Sequence, residues 1–143
     1  MSGQLTQFGA NRGVVAGVGK AVTAASRMYL ALATALPASP NTATLTQFDD
    51  TELTTAGYER QAVTWGDPSG EPSEVANDSE VVFGPFEADP PEVSTIFLTD
   101  TSIGSSGNVM AYWSVDVNRD AGNADSLRIA IGDLTLSVGA CPA

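Results

Sequence analysis

The chain has 143 residues, of which 43% are hydrophobic and 16% are charged, and this is typical of a single globular domain. It contains no histidine, one lysine and one cysteine, so the side chains that most often move protons, activate nucleophiles and bind metals are nearly absent. The net charge of −11 disfavours binding to nucleic acid or to an anionic membrane surface. These totals indicate a protein that binds or builds without catalysis, and we expect no cofactor.

The charge is divided unevenly along the chain. Residues 1–48 carry three basic residues and no acidic one. All 17 acidic residues lie in residues 49–143 beside only three arginines, which gives this part a net charge of −14. The basic beginning of the chain is therefore suited to an acidic neighbour, and another copy of the same protein would be one.

Membrane insertion and export are not expected. No segment reaches the ~18 consecutive apolar residues that a membrane helix needs. Lys20 and Arg27 interrupt the one apolar run near the beginning, so the pattern of a secretory leader is missing. A single cysteine, Cys141, forms no internal disulfide. We therefore expect a cytosolic origin.

Residues 4–20 differ from the rest of the chain. Their apolar residues recur at roughly helical spacing, and Thr6 or Ser2 is a suitable N-cap. Glycines cost up to ~1 kcal/mol each inside a helix, but at intervals of four they form a smooth stripe. These glycines are Gly9, Gly13 and Gly17. We predict an N-terminal arm over residues 1–27 that is helical or extended, and the sharper hypothesis is that this arm is an assembly contact.

From Met28 onward the apolar pattern changes to alternation, which is typical of β-strands. In the first strand Met28, Leu30 and Leu32 share one face. Seven short strands are predicted between turns rich in glycine, proline, asparagine and aspartate. They are residues 28–34, 58–65, 80–83, 93–99, 108–117, 127–131 and 134–138, and residues 37–50 are predicted to form a loop. The fold class is mainly β: a single antiparallel β-sandwich over residues 28–143, preceded by the arm.

One polar loop has a spacing of oxygen ligands that suits calcium. The candidate ligands are Asp116, Asn118, Asp120 and Asp125. The helix–loop–helix calcium motif is not present, because it needs glycine where Ala121 stands and glutamate where Leu127 stands. A solvated hairpin loop uses the same residue types. We favour that interpretation, with a weak calcium site as the alternative.

No catalytic residue is predicted. Two groups of carboxylates, residues 49–52 and 87–92, lie in loops rich in threonine and proline, where a solvated run of charge is the favoured interpretation. Four aromatic residues are candidates for stacking on a sugar: Tyr58, Trp65, Tyr112 and Trp113. Packing in the core is the commoner role of such residues in a small β-protein. Carbohydrate binding is kept as the alternative.

Six segments occur in a characteristic order along nearly the whole chain. They are residues 5–11, 28–34, 57–64, 83–86, 111–113 and 132–138, and GYERQAVT at residues 57–64 is the most specific. In this order they resemble small minor tail or tail fibre proteins of long-tailed bacteriophages, especially of phages that infect actinobacteria.

The resemblance implies a non-enzymatic structural protein of the virion, assembled in the host bacterial cytoplasm at the tail tip, the baseplate or a tail fibre. Its implied partners are other virion proteins, contacted through the N-terminal arm. It also implies a homo-oligomer, and a trimer fits by analogy with fibres. Two alternatives are left open: a capsid decoration protein on the phage head, and a carbohydrate-binding module that contacts the host envelope.

Overall fold

The computed structural model of the protein describes residues 1–20, 27–70, 73–119 and 121–137. These residues form nine strands and two helices, in the order β1 (Gln4–Leu5), α1 (Gln7–Gly17), β2 (Met28–Ala33), α2 (Leu45–Asp49), β3 (Gln61–Val63), β4 (Glu74–Ala76), β5 (Val81–Phe83), β6 (Val93–Thr99), β7 (Val109–Arg119), β8 (Leu127–Ile129) and β9 (Thr135–Ser137). Every pair of named strands is antiparallel. The mainly-β, antiparallel fold with a short N-terminal helix is confirmed.

Five strands form the largest sheet, in the order β1-β7-β6-β2-β3, and two smaller sheets pair β4 with β9 and β5 with β8. In the large sheet, Leu30 of β2 lies opposite Leu98 of β6, and Leu98 lies opposite Ala111 of β7. Apolar residues are thereby aligned across three strands on one face. This face packs against Phe83 of β5 and Ile129 of β8 in the main core.

The opposite face of the large sheet is covered by α2. Leu45 and Phe48 of this short helix are 1% and 0% exposed. Phe48 lies against Phe97, with ring centroids 5.3 Å apart. The small side chains of Ala31 and Ala33 in β2 belong to the same cluster and leave room for these residues. Strand β2 is therefore buried on both faces.

The prediction of a loop over residues 37–50 is wrong at its end, where α2 forms. The side chain of Gln47 accepts a hydrogen bond from the backbone N–H of Thr44 at 2.9 Å, which begins the helix. Leu45 and Phe48 are three residues apart and so share one face. A helix of five residues is too short to give a periodic signal, and its burial against the sheet stabilises it instead.

The extents of several strands also differ from the prediction. Strand β3 is shorter than the predicted residues 58–65, and Trp65 forms an isolated bridge with Asn77 instead. The sequence analysis does not predict strand β4, because a strand of three residues with polar neighbours is too short to show alternation of apolar residues. Strand β7 continues to Arg119, two residues beyond its predicted end. The predicted strand 93–99 is confirmed at both ends.

The beginning of the chain joins the large sheet and also contacts the small sheet of β4 and β9. Ser2 forms a bridge with Thr135, and Gln4 in β1 pairs with Tyr112 of β7. The helix predicted in residues 4–20 is confirmed as α1, with Thr6 as its N-cap. The predicted arm thus consists of an edge strand, then α1, then residues that include 21–26, which lie outside the described part of the chain.

A buried asparagine connects the small sheets. Asn77 is 1% exposed. Its side chain donates to the carbonyl oxygens of Ser79 and Ala130 at 3.0 and 2.9 Å, and its Oδ1 accepts from the N–H of Leu134 at 2.9 Å. The turn between β8 and β9 is therefore fastened to the end of β4 by one fully satisfied amide.

We expect Asn77→Asp to lower the free energy of unfolding by about 3 kcal/mol. A carboxylate has no hydrogen for the two carbonyl oxygens and introduces a buried charge. The measurement is urea unfolding followed by tryptophan fluorescence. Asn11→Asp, the same change at an exposed position, is the control and should shift the free energy by less than about 0.5 kcal/mol. Equal effects of the two substitutions would contradict the role of Asn77.

Candidate interaction surfaces

The first turn of α1 is packed tightly against the start of β7. The hydroxyl of Thr6 is buried, donates to the carbonyl oxygen of Val109 at 2.5 Å and accepts from the backbone N–H of Gly9. Gly9 lies so close to the Met110 carbonyl oxygen that a Cβ at this position would overlap it. Glycine is therefore required here, and this contact fixes where α1 leaves the sheet.

Beyond its first turn, α1 has an apolar face that the described part of the chain does not cover. Val14 in α1 and Val18, the residue that caps its end, are 67% and 68% exposed, and residues four apart lie on the same helix face. Apart from the chain neighbours and the backbone of the helix itself, no described atom comes within 4 Å of a Cβ placed at Gly13 or Gly17. A helix rich in glycine depends on packing for its stability. The exposed face of α1, defined by Val14 and Val18, is therefore suited to packing against another molecule.

The same helix is flanked by positive charge. The guanidinium of Arg12 lies over the ring of Phe8, 5.5 Å from its centroid. Lys20 follows the helix and is exposed. Arg12 lies two residues before Val14, which places it on the opposite side of the helix from the valines, so the cation that follows the exposed face of α1 is Lys20.

Arg60 is the centre of a buried network of ion pairs and hydrogen bonds, and its side chain is 4% exposed. Its Nε and Nη2 donate to the two carboxylate oxygens of Glu52 at 2.8 and 2.6 Å. Nη2 also donates to Asp49 at 3.1 Å. Nη1 donates to the carbonyl oxygens of Thr101 and Gly104 at 3.2 and 2.9 Å. One guanidinium thereby ties the residues around the end of α2 to a surface loop, and we call this set the Arg60 network.

The loop of residues 101–107 presents one large apolar side chain. Ile103 is 83% exposed and lies between the two carbonyl groups that accept from Arg60. Asp100 closes the base of the loop by accepting from the backbone N–H of Asn108 at 2.8 Å. Ile103 is therefore carried by a loop whose geometry is fixed from two sides.

An acidic cleft of about 550 Å³ lies between this loop and the end of α2. Its lining includes Asp49, Glu52, Leu53, Tyr58, Glu59 and Ile103. Glu52 and Asp49 offset the charge of Arg60, whereas the side chain of Glu59 is exposed. The acidic cleft therefore combines negative charge with an apolar residue at its rim.

The carboxylates of the Arg60 network have opposite pKa shifts. Burial would raise the pKa of Glu52, but hydrogen bonds from the guanidinium, from Asp49 and from Tyr58 outweigh it, so its pKa lies below the ordinary 4.5. The pKa of Asp49 is raised above 3.8, first by its hydrogen bond with Glu52 and then by burial. Burial also raises the pKa of the Tyr58 hydroxyl, which donates to Glu52 at 2.7 Å.

The described surface outside the N-terminal arm is largely acidic. Its exposed carboxylates are Asp50, Glu59, Asp67, Glu74, Asp78, Glu80, Glu87, Asp89, Glu92, Asp125 and Asp133. One exposed arginine, Arg128, pairs with Glu80 at 2.7 Å. This surface repels other anionic surfaces and attracts basic ones.

A neutral polar groove of about 320 Å³ lies where the beginning of α1 meets residues 41–45 and 107–109. Amide and hydroxyl side chains dominate its lining: Gln7, Asn11, Asn41, Thr42, Thr44 and Asn108. Phe8 adds an apolar surface to it. Neutral hydrogen-bonding groups beside an aromatic ring suit a ligand that carries hydroxyl groups.

The chain matches the family described as podophage GP4 fiber I protein gp80 over residues 15–137, which is most of its length. It belongs to this family. The protein is therefore a phage fibre protein and a component of the virion. A comparison with curated proteins finds no match. The family's description names a podophage, so it supports the phage fibre part of the resemblance and does not extend to long-tailed phages of actinobacteria.

The candidate calcium ligands of this fibre protein are only partly described. Asp116 and Asn118 lie within β7, and Asp120 is outside the described residues. The carboxylate of Asp125 accepts from the backbone N–H of Gly122 at 2.9 Å, as in an ordinary polar turn. No cluster of three or more residues that suits a metal occurs in the described part of the chain. The calcium site stays a prediction.

The aromatic candidates for sugar stacking are mainly packing residues. Trp113 and Tyr112 are 1% and 5% exposed. Trp65 stacks on Trp113 with centroids 6.0 Å apart, and Tyr58 stacks on Phe83 at 6.1 Å. These rings stabilise the core. Neither of the described helices of the fibre protein is long and apolar enough to cross a membrane.

Two residues of the candidate surfaces were missed in the sequence. Arg60 is a lone cation in an acid-rich region, and it lies in the segment 57–64 with the most specific resemblance. Ile103 is a lone large apolar residue among serines and glycines in a loop. Both patterns were visible, but neither indicates a contact without the fold.

We expect Glu52→Gln to lower the free energy of unfolding of the fibre protein at neutral pH by about 3 kcal/mol, because Arg60 would lose its main counter-charge while staying buried. Asp49→Asn is the matched control. Its raised pKa means that the ionised form is disfavoured in the folded state, so removing the charge should leave stability unchanged or raise it. Urea unfolding measures both. A larger loss for Asp49→Asn than for Glu52→Gln would contradict this assignment.

The Glu52 contribution should also depend on pH. A carboxyl group with a lowered pKa contributes stability that is complete above its unfolded-state pKa and is lost as pH falls through the folded-state value. The difference between the wild-type protein and Glu52→Gln should therefore be constant above about pH 5 and shrink at lower pH. Urea unfolding across this range tests it. A difference that grows on acidification would be inconsistent with the lowered pKa.

Proposed function

We propose that this fibre protein is a non-enzymatic, minor structural component of the phage tail, assembled at the tail tip, the baseplate or a tail fibre. In this proposal it docks onto another virion protein through α1. The observation that carries it is the exposed apolar face of α1, which lies beyond a tightly packed first turn and is followed by Lys20.

Anchoring and exposure together support docking by α1. Thr6 and Gly9 fix the direction of the helix, so its outer part is presented in a defined position. Burying Val14 and Val18 would contribute about 1.5–3 kcal/mol each. That is enough to hold a subunit in place when several copies act together.

The type of phage and the place on the particle are finer parts of the proposal. The six ordered segments favour minor tail proteins of long-tailed phages that infect actinobacteria. A capsid decoration protein is the alternative, and it differs in location rather than in chemistry. Copy number separates the two, because decoration proteins cover a shell and are far more numerous than tail tip subunits.

Carbohydrate binding is a second candidate function, and the neutral polar groove beside α1 is the observation that favours it. Amide side chains such as Gln7 and Asn11 face solvent there. The groove replaces the four aromatic residues as the place to test. Purified protein should then bind host cell-wall polysaccharide, and Gln7→Ala with Asn11→Ala should remove that binding; binding that survives these changes would exclude the groove.

We expect the double variant Val14→Asp, Val18→Asp to lower incorporation into particles by roughly tenfold or more. Two carboxylates on the exposed face of α1 would have to be buried in the contact. The measurement is the number of copies per purified particle, by quantitative mass spectrometry, after complementing a phage that lacks the wild-type chain. Unfolding of the purified variant in urea shows whether its domain is intact.

Ile131→Asp is the matched control for this experiment, because Ile131 is 67% exposed but lies in the turn between β8 and β9. It should be incorporated normally. Normal incorporation of the valine double variant would reject docking through α1.

A further inference from the structure

We propose that the exposed face of α1 binds in the acidic cleft of a second copy of this chain. This inference rests on the proposed function and names the partner that α1 contacts. In its own chain α1 packs against β1 and β7 only through its beginning. The acidic cleft lies beside the 101–107 loop and α2, and it includes no residue of α1.

The two surfaces have matching apolar residues. Val14 and Val18 form a pair on one face of α1, and Ile103 stands at the rim of the cleft with 83% of its surface exposed. Leu53 and Tyr58 line the cleft behind it. A volume of about 550 Å³ is in the range that receives a few side chains rather than a whole helix. The valines would enter while the helix backbone lies across the opening.

Charge favours the pairing of α1 with the cleft over the pairing of two helices or of two clefts. Lys20 follows the exposed face of α1, and no acidic residue occurs in residues 1–48. The cleft has the exposed Glu59 and the partly exposed Asp49. Two helices would bring like charges together, and so would two clefts. Of these three pairings, only the contact of a helix with a cleft joins opposite charges.

The acidic cleft is also preorganised, because its two walls are held in place within the free chain. The Arg60 network fixes both of its walls, since the guanidinium binds Glu52 on one side and the carbonyl oxygens of residues 101 and 104 on the other. A rigid site loses little conformational entropy on association. Each copy offers one helix and one cleft, so copies can join into rings, into filaments or as reciprocal pairs.

A mixing experiment tests the inference. The helix variant carries Val14→Asp and Val18→Asp, and the cleft variant carries Ile103→Asp and Glu59→Lys. Analytical ultracentrifugation at low salt should show self-association of the wild-type protein and at least tenfold weaker self-association of each variant. An equimolar mixture of the two variants should associate again, because an intact helix on one meets an intact cleft on the other. Ile131→Asp is the control and should associate like the wild-type protein.

Other outcomes overturn the inference. If only the helix variant fails to associate and mixing restores nothing, α1 binds another α1 or a different surface. If the wild-type protein stays monomeric at high concentration, the partner is not a second copy. The incorporation experiment with the valine variant separates this failure from a failure of the proposed function. If the wild-type protein is monomeric in solution but the valine variant is still lost from particles, docking through α1 is supported and the acidic cleft is rejected as its binding site.

Discussion

The ion pair between Arg60 and Glu52 is the interaction on which the acidic cleft of this protein depends. A guanidinium that is 4% exposed needs compensation for its lost hydration, and Glu52 provides it with two parallel hydrogen bonds. Its remaining donors reach Asp49 and the loop of residues 101–107. Because the Arg60 guanidinium also lies 5.8 Å from the Phe97 ring centroid, the loop is coupled to the packing of the sheet.

The segment with the most specific resemblance to phage tail proteins, residues 57–64, is also the one with the strictest physical demands. Gly57 has a φ of +87°, and a Cβ there would lie 2.5 Å from the carbonyl oxygen of Pro85. Tyr58 bridges Glu52 and the backbone of β2, since its hydroxyl accepts from the N–H of Leu32 at 3.0 Å. Arg60 holds the cleft. Three different contacts therefore explain three residue types in a run of four.

The sequence predicts those parts of the fold that depend on local pattern. Alternation of apolar residues identifies β6 at both ends and the faces of β2, and helical spacing with Thr6 identifies α1. Local pattern does not identify α2, because this short helix is stabilised by burial against Phe97. The candidate surfaces divide in the same way: Val18 belongs to a visible helical spacing, whereas Arg60 meets Thr101 and Gly104 across more than 40 residues of chain. No local pattern contains such a contact.

The separation of charge along the chain has a consequence for a protein that must assemble in order. Residues 49–143 carry a net charge of −14, so this part of one copy repels the same part of another. The repulsion limits unspecific association of free copies. In the proposed contact, the basic segment of residues 1–48 on one copy meets the acidic cleft of another, and repulsion becomes attraction there. Such a contact is weakened by salt when its charges are exposed, while its apolar part is not. In this proposal charge provides the selection between surfaces, and the valines with Ile103 provide the part of the attraction that persists at physiological ionic strength.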